Sequence, residues 1–246
     1  MSETVFREIN FLDHTYAIEC WADDFQTRRL SKGKPYEIRE LRVVAAVVKA
    51  LGLRGLALDL GSSIGNHSLA FSRMGFDQIH AVEMDPETYK VLGRNLARSC
   101  AVPFASTNCA LGEANPETLY RTKRWQKNCG ANALVPTSDQ ALAVKTVALA
   151  TLGLRPATLA KIDVEGHEVP VLRGGAEYFA RVKPLLLIEI WAKLRPQVFA
   201  ELQGLGYGEG VLLPGEEKHN FLFSADQQQL SEVRAVVERA RSTRHS

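Results

Sequence analysis

Leu56-Ala57-Leu58-Asp59-Leu60-Gly61-Ser62-Ser63-Ile64-Gly65-Asn66-His67 is an apolar run that turns on a glycine and leads into a helical pattern from Ser68 to Met74, stopped by Gly75. A strand that passes through a glycine turn into a helix opens a βαβ unit, and the glycine lets main chain approach a ligand closely. Outward from it, Ile79–Glu83 reads as a second strand. Pro86–Ser99 reads as a helix with Tyr89, Leu92 and Leu96 on one side, and Phe104–Cys109 as a third strand. Residues 113–148 interrupt the alternation, with short strands at 119–121, 133–135 and 144–147 in an insertion. The pattern resumes with a strand at 159–164 and a helix at 169–180. Pro184–Trp191 is then almost unbroken in hydrophobicity, as a strand buried on both faces must be.

Residues 197–204 read as a helix. Val211-Leu212-Leu213 and Asn220–Phe223 flank Pro214-Gly215 as a closing antiparallel hairpin. The tail from Ser224 carries Leu230, Val233 and Val237 on one stripe, and Glu37–Ala50 forms a helix between Pro35 and Gly52. The expectation is one domain over 1–246: an N-terminal helical cap at 1–54, a core at 55–223 and a helical tail at 224–246. The fold class is α/β, Rossmann-like, with a mostly parallel seven-stranded sheet, a terminal antiparallel hairpin and a small β insertion.

A chain of 246 residues suits one such domain, and a net charge of +2 does not argue for a nucleic-acid partner. Cys20, Cys100, Cys109 and Cys129 contain no C-x-x-C pair, which argues against zinc and for reduced, cytoplasmic thiols. Residues 1–14 lack the basic start and apolar core of a signal peptide, and no apolar run approaches the roughly 20 residues of a membrane span.

The second partner of the glycine loop is Glu83, at the end of the next strand and 22 residues after Gly61. An acid there accepts hydrogen bonds from two ribose hydroxyls. A dinucleotide requires G-x-G-x-x-G, whereas Ser63 stands where the middle glycine would be and the pattern is acid-x-G-x-x-x-G. The wider loop suits a methionyl group better than a pyrophosphate. This favours S-adenosylmethionine over NAD, and a methyltransferase over the two alternatives, an NAD-dependent oxidoreductase and a non-catalytic cofactor-binding protein.

Lys161-Ile162-Asp163-Val164-Glu165-Gly166-His167-Glu168 crowds ionisable groups at the carboxyl edge of the fourth core strand. Glu189 interrupts the apolar fifth strand, where a carboxylate is costly unless paired or chemically used. Asp163 and Glu189 are expected side by side. They offer oxygen ligands to a hard cation, but no third ligand follows at fixed spacing, so a metal-free site is expected. Glu168 reads as a complement to a helix N-terminus, Lys161 as a solvated strand-end lysine, and His67 equally as structural or catalytic.

These residues resemble the FkbM family of methyltransferases. The match runs through Leu58–Ser68, Val82–Pro86 with Leu92 and Asn95, Ala110-Leu111-Gly112, Lys161–Glu168 with Val171-Leu172-Arg173-Gly174, and Pro184–Ile190. Tyr36-Glu37 resembles the family's upstream tyrosine-glutamate pair. Ser62-Ser63 replaces the family's usual Ala-Asn, and Met84 its usual proline; Ser63 retains a hydrogen-bonding side chain and Met84 can pack on adenine. The resemblance implies the class I methyltransferase fold and O-methylation of a hydroxyl on a sugar, polyketide or other natural product. Taken with the residues themselves, it gives as cofactor contacts Glu37, Asp59, Gly61, Ser63, Gly65, Asn66, Glu83, Met84, Ala110 and Asp163. The candidates for chemistry are Asp163, Glu165, His167 and Glu189, of which Glu165, His167 and Glu189 are candidate bases. The expected partner is a small-molecule or glycan acceptor, for which the insertion offers Trp125, Lys127, Asn128 and Asn132.

Overall fold

The computed structural model describes residues 3–114, 119–121, 134–135, 142–144, 146–215 and 219–242. The chain opens with a hairpin, β1 (Thr4–Phe11) and β2 (His14–Trp21), followed by α1 (Phe25–Leu30) and α2 (Ile38–Ala50). The expected N-terminal helical cap is therefore half β. The period-2 signal is lost because Ile18, Glu19, Cys20 and Trp21 are all buried, so both faces of β2 are covered near its end.

The core follows as β3 (Leu56–Leu60), α3 (Asn66–Phe71), β4 (Gln78–Glu83), α4 (Pro86–Ser99), β5 (Phe104–Asn108) and the two-residue β6 (Ala110–Leu111). The insertion contributes β7 (Leu119–Arg121), β8 (Leu134–Val135) and β9 (Leu142–Val144) as one small antiparallel sheet. Trp125, Lys127, Asn128 and Asn132 lie outside the described residues. Next comes β10 (Thr146–Val147), which pairs with β6 in parallel. After it come β11 (Ala157–Ile162), α5 (Glu168–Gly174), α6 (Ala176–Val182), β12 (Leu185–Glu189), α7 (Arg195–Gly204), β13 (Val211–Leu212), β14 (Asn220–Phe223) and α8 (Gln227–Ser242).

The single helix expected at 169–180 is two. The break falls at Gly174-Gly175, where a Cβ on Gly174 would overlap the carbonyl oxygen of Gly112. The helix gives way so that two main chains can touch.

The main sheet runs β13-β14-β12-β11-β3-β4-β5, with β14 alone antiparallel to its neighbours. One face is covered by the hairpin, α2, α3, α4 and α8, the other by α5, α6 and α7. Chain order reverses between β3 and β11, which opens a crevice at the carboxyl ends of those strands. Among the described residues no helix is long and apolar enough to cross a membrane.

Candidate active site

The β3–α3 loop is shaped by main chain. Gly61 and Ser62 both donate N–H to the carbonyl of Val82 at 2.9 Å, and Asp163 donates to that of Leu60 at 3.0 Å. Gly61 has φ +85, and a Cβ there would overlap the carbonyl oxygen of Asp163. The close approach that requires a glycine is thus to the chain's own β11 end. Gly65 has φ +94, and Ser63 at φ 48 is left-handed without being glycine. Such a residue stores roughly 1–3 kcal/mol, often at a binding site. Asn95 clamps the loop from α4, its amide donating to the carbonyls of Ile64 and Glu19 at 2.8 Å each.

Asp59 is fully buried, and its Oδ2 accepts from Ser68 Oγ at 2.5 Å. It ties β3 to α3 from beneath the loop and does not line the crevice. Asn66 does not face outward either: its Oδ1 accepts the Tyr36 N–H at 3.0 Å and its Nδ2 donates to the Tyr36 carbonyl at 3.2 Å. That pair fixes the segment ahead of α2 to the loop. Ala110 is buried, paired in register with Thr146.

Glu83 closes the other side. Its Oε2 accepts the Ser63 N–H and its Oε1 the Asp85 N–H, both at 2.8 Å. Burial pushes its carboxyl up to about 7, against the pull of those two bonds. A carboxylate has about four lone-pair positions, so two remain for hydroxyl donors. Met84 is half-buried beside it, and Asn108 donates to the carbonyls of Glu83 and Met84 from β5.

The β11–β12 side is shaped by charge. Lys161 is almost fully buried in the middle of the sheet, opposite Asp59 in register, and its Nζ donates to Asp163 Oδ2 at 2.8 Å. The expectation of a solvated lysine is overturned. With β3 and β12 on its flanks, β11 gives the side chain no route to water, and the central position of the strand is the signal that shows it. Burial works against the ammonium, but the carboxylates of Asp163, Asp59 and Glu37 more than offset it and raise its pKa. Burial likewise works against ionised Asp163, yet Lys161 holds its carboxyl below the usual range. Asp163 remains 23% exposed, open to the crevice.

Glu189 stands next to Asp163 and bonds to it. The charge on Asp163, then burial, raises Glu189 well above the carboxylate range, so it carries a proton at neutral pH. Glu37, one residue ahead of α2 with φ 57, reaches across to His67 Nε2 at 3.0 Å and accepts from Asn220 Nδ2 at 2.7 Å. Burial opposes its charge, but His67 and Lys161 bring its carboxyl below the ordinary value. His67 and Asn220 are site residues that sequence spacing alone does not bring to Glu37, since 183 positions separate Asn220 from it. Among the described residues no three His, Cys, Asp or Glu side chains are arranged so that they could hold a metal ion.

The loop after β11 separates the remaining candidates. Glu165 is left-handed at φ 52 and half-buried. His167 turns the other way: its Nε2 is buried and would lie 2.9 Å from a Cβ on Gly112. Burial lowers its pKa, so the ring is neutral at pH 7. Glu168 is buried at the start of α5 and accepts the Gly166 N–H at 3.0 Å, the helix-start role expected of it.

S-adenosylmethionine fits these groups. Glu83 would answer ribose hydroxyls, and the ionised pair Glu37 and Asp163 outweighs the ammonium of Lys161, which would suit a cationic sulfonium and amine. A sheet of this order, with a glycine loop after its first core strand and an acid ending the second, defines the Rossmann-like class I methyltransferase scaffold. The Methyltransferase FkbM domain matches residues 59–239, and the chain belongs to that family, whose cofactor is S-adenosylmethionine. The match extends past the stretch recognised in the sequence, through β14 and most of α8.

Among solved structures, methyltransferase FkbM from Methylobacillus flagellatus is 18% identical, with a TM-score of 0.49 over 68% of this chain and 42% of that one. This chain therefore spans less than half of that protein's length. Ribosomal protein L11 methylase from Lactobacillus delbrueckii subsp. bulgaricus is 12% identical, with a TM-score of 0.51 over 89% of this chain and 98% of that one, a likeness of fold. No curated protein matches.

Proposed function

We propose that this chain transfers a methyl group from S-adenosylmethionine to a hydroxyl of a small polar acceptor, such as a sugar or a related natural product. The observation that carries this reading is Asp163, ionised by buried Lys161 and open to the crevice where chain order reverses. The cofactor supplies an electrophilic methyl on sulfur. The chain positions the acceptor in line with it, and alignment of this kind contributes roughly 7–11 kcal/mol.

An alkyl hydroxyl must lose its proton to be a good nucleophile, and a positioned base contributes roughly 10²–10⁴ in rate. Glu189 already holds a proton, and the His167 ring is turned toward Gly112. Glu165 is left as the base. The charge on Asp163 is suited to hold the acceptor hydroxyl or the cofactor amine, while its lowered pKa makes it a weak base. The free thiols of Cys20, Cys100 and Cys109 suit a reducing cytoplasm.

Calorimetry with S-adenosylmethionine and NAD tests the cofactor, and labelled cofactor incubated with hydroxylated acceptors tests the reaction. Binding of NAD alone would overturn the reading. Glu165→Gln is expected to lower kcat by at least 100-fold with unchanged cofactor affinity, and an unchanged kcat would remove Glu165 as base.

A further inference from the structure

The chain ahead of α2 builds a second cleft, of opposite charge to the crevice. Its cavity is small, about 80 Å³, and is lined by Arg29, Lys32, Lys34, Tyr36, Glu37 and Arg39, with Glu40 at its base. Its two carboxylates turn inward. Glu37 is bound to His67 and Asn220, and Glu40 is buried beneath Gly215, where a Cβ would overlap its Oε1. Among the described residues, the charge the cleft presents to solvent is therefore that of Lys32, Lys34 and Arg39, all exposed, with Arg29 half-buried beside them. One wall is aromatic: Phe25 meets Tyr36 edge-on at 6.4 Å between centroids, and the Arg29 guanidinium lies over Phe25 at 5.2 Å.

Its position separates it from the ribose end of the cofactor site. Glu37 and Glu40 reach β14 and the β13–β14 connection, while Glu83 ends β4. Strand order puts four spacings between β14 and β4, roughly 19 Å at about 4.8 Å each. The cleft therefore lies on the Asp163–Glu189 side, where the proposed reaction places the acceptor. It is also rigidly tied to the crevice, because the main chain of Tyr36 is bonded in both directions to Asn66 at the start of α3.

We propose that this cleft binds an anionic group of the methyl acceptor, a carboxylate or a phosphate, and so selects acidic or phosphorylated small acceptors over neutral ones. This rests on the methyltransferase reading. Lysine and arginine clustered at a cleft hold anionic oxygens by charge-assisted hydrogen bonds, which a neutral analogue cannot form.

The test uses the full chain with glucose 6-phosphate, glucuronate and glucose as probes, and S-adenosylmethionine titrated into the same samples. The sugar phosphate and the uronate should each bind at least tenfold more tightly than glucose, and comparison of the two decides between phosphate and carboxylate. The double substitution Lys32→Gln/Lys34→Gln should weaken the anionic probes at least fivefold while cofactor affinity stays unchanged. Lys90→Gln, a lysine paired with Glu87 away from the cleft, should leave probe binding as it is. Equal binding of all three sugars, or loss of anion binding in the Lys90 variant alone, would overturn the cleft while leaving the methyltransferase reading in place. A single-stranded oligonucleotide binding more than tenfold tighter than glucose 6-phosphate would overturn the small-acceptor assignment. Absence of cofactor binding in the unaltered protein would overturn the methyltransferase reading, and the acceptor proposal with it.

Discussion

Between β3 and β4 the crevice is shaped by main chain, and between β11 and β12 it is shaped by charge. On the first side the contacts are carbonyls and N–H groups brought close by Gly61 and Gly65, with the buried Glu83 bridging two loops. On the second, Lys161, Asp163, Glu189 and Glu37 form one coupled group whose members set each other's protonation, with His67 bonded to Glu37. The difference separates two kinds of fragility. The main-chain side fails when space is taken away. The charged side fails when a balance is removed, even though no atom is crowded.

The sharpest way to break the main-chain side is Gly61→Ala. The added carbon would overlap the Asp163 carbonyl at a φ of +85, so β3 and β11 would have to separate. A loss above about 4 kcal/mol is expected, enough to abolish cofactor binding or folding. Gly55→Ala provides the contrast. Its φ is +77, but the nearest atom to a Cβ is Thr158 Cγ2 at 3.5 Å, an ordinary contact. It carries only the left-handed backbone penalty, about 1–2 kcal/mol. Urea unfolding of both variants checks this, and equal losses would show that the overlap is relieved cheaply.

Lys161→Met breaks the charged side. Its buried ammonium faces Asp163, Asp59 and Glu37, and removing one member of a buried pair typically costs about 3–5 kcal/mol. The double variant Lys161→Met/Asp163→Asn should recover part of that loss, because fewer charges are then left uncompensated. A single-variant loss under about 1 kcal/mol would mean that water reaches this part of β11.

The same contrast governs what the sequence made legible. The strands of the main sheet, its closing β13–β14 hairpin and the order of elements follow from local signals, namely glycine turns and apolar runs. So does Glu83, because a βαβ unit fixes where its second strand ends. The charged group is different. Lys161 is adjacent in sequence to residues singled out for chemistry, but its burial depends on which strands flank β11. Glu37 meets His67 and Asn220 only once α2 packs on the sheet against α3 and α8. His167 shows the opposite failure, since it lies in the most distinctive motif and yet turns away toward Gly112. The hairpin was hidden because β2 is buried on both faces and so loses its alternation.

Glu83 gives the smallest effect and the finest comparison, since it is a strongly shifted acid on the side shaped chiefly by main chain. Burial raises its carboxyl from 4.5 to about 7. The protonated form is therefore favoured in the free protein between those values, and this group's contribution to stability declines as pH rises through that window. Ribose hydroxyls need the ionised form, which can accept from both of them, whereas the protonated form surrenders one position to its own hydrogen. Cofactor affinity should then rise by about tenfold between pH 6 and pH 8, following the ionised fraction of a group titrating near 7. Binding at pH 6 should also release a proton, visible as a calorimetric enthalpy that changes with the buffer. In Glu83→Gln the side chain does not titrate, so its affinity should be lower at pH 8 and the Glu83 part of the pH dependence should vanish. Any titration of the ligand itself is common to both proteins and drops out of the difference between them. Parallel pH profiles for the two proteins would show that Glu83 is ionised throughout, or that the ribose is held elsewhere.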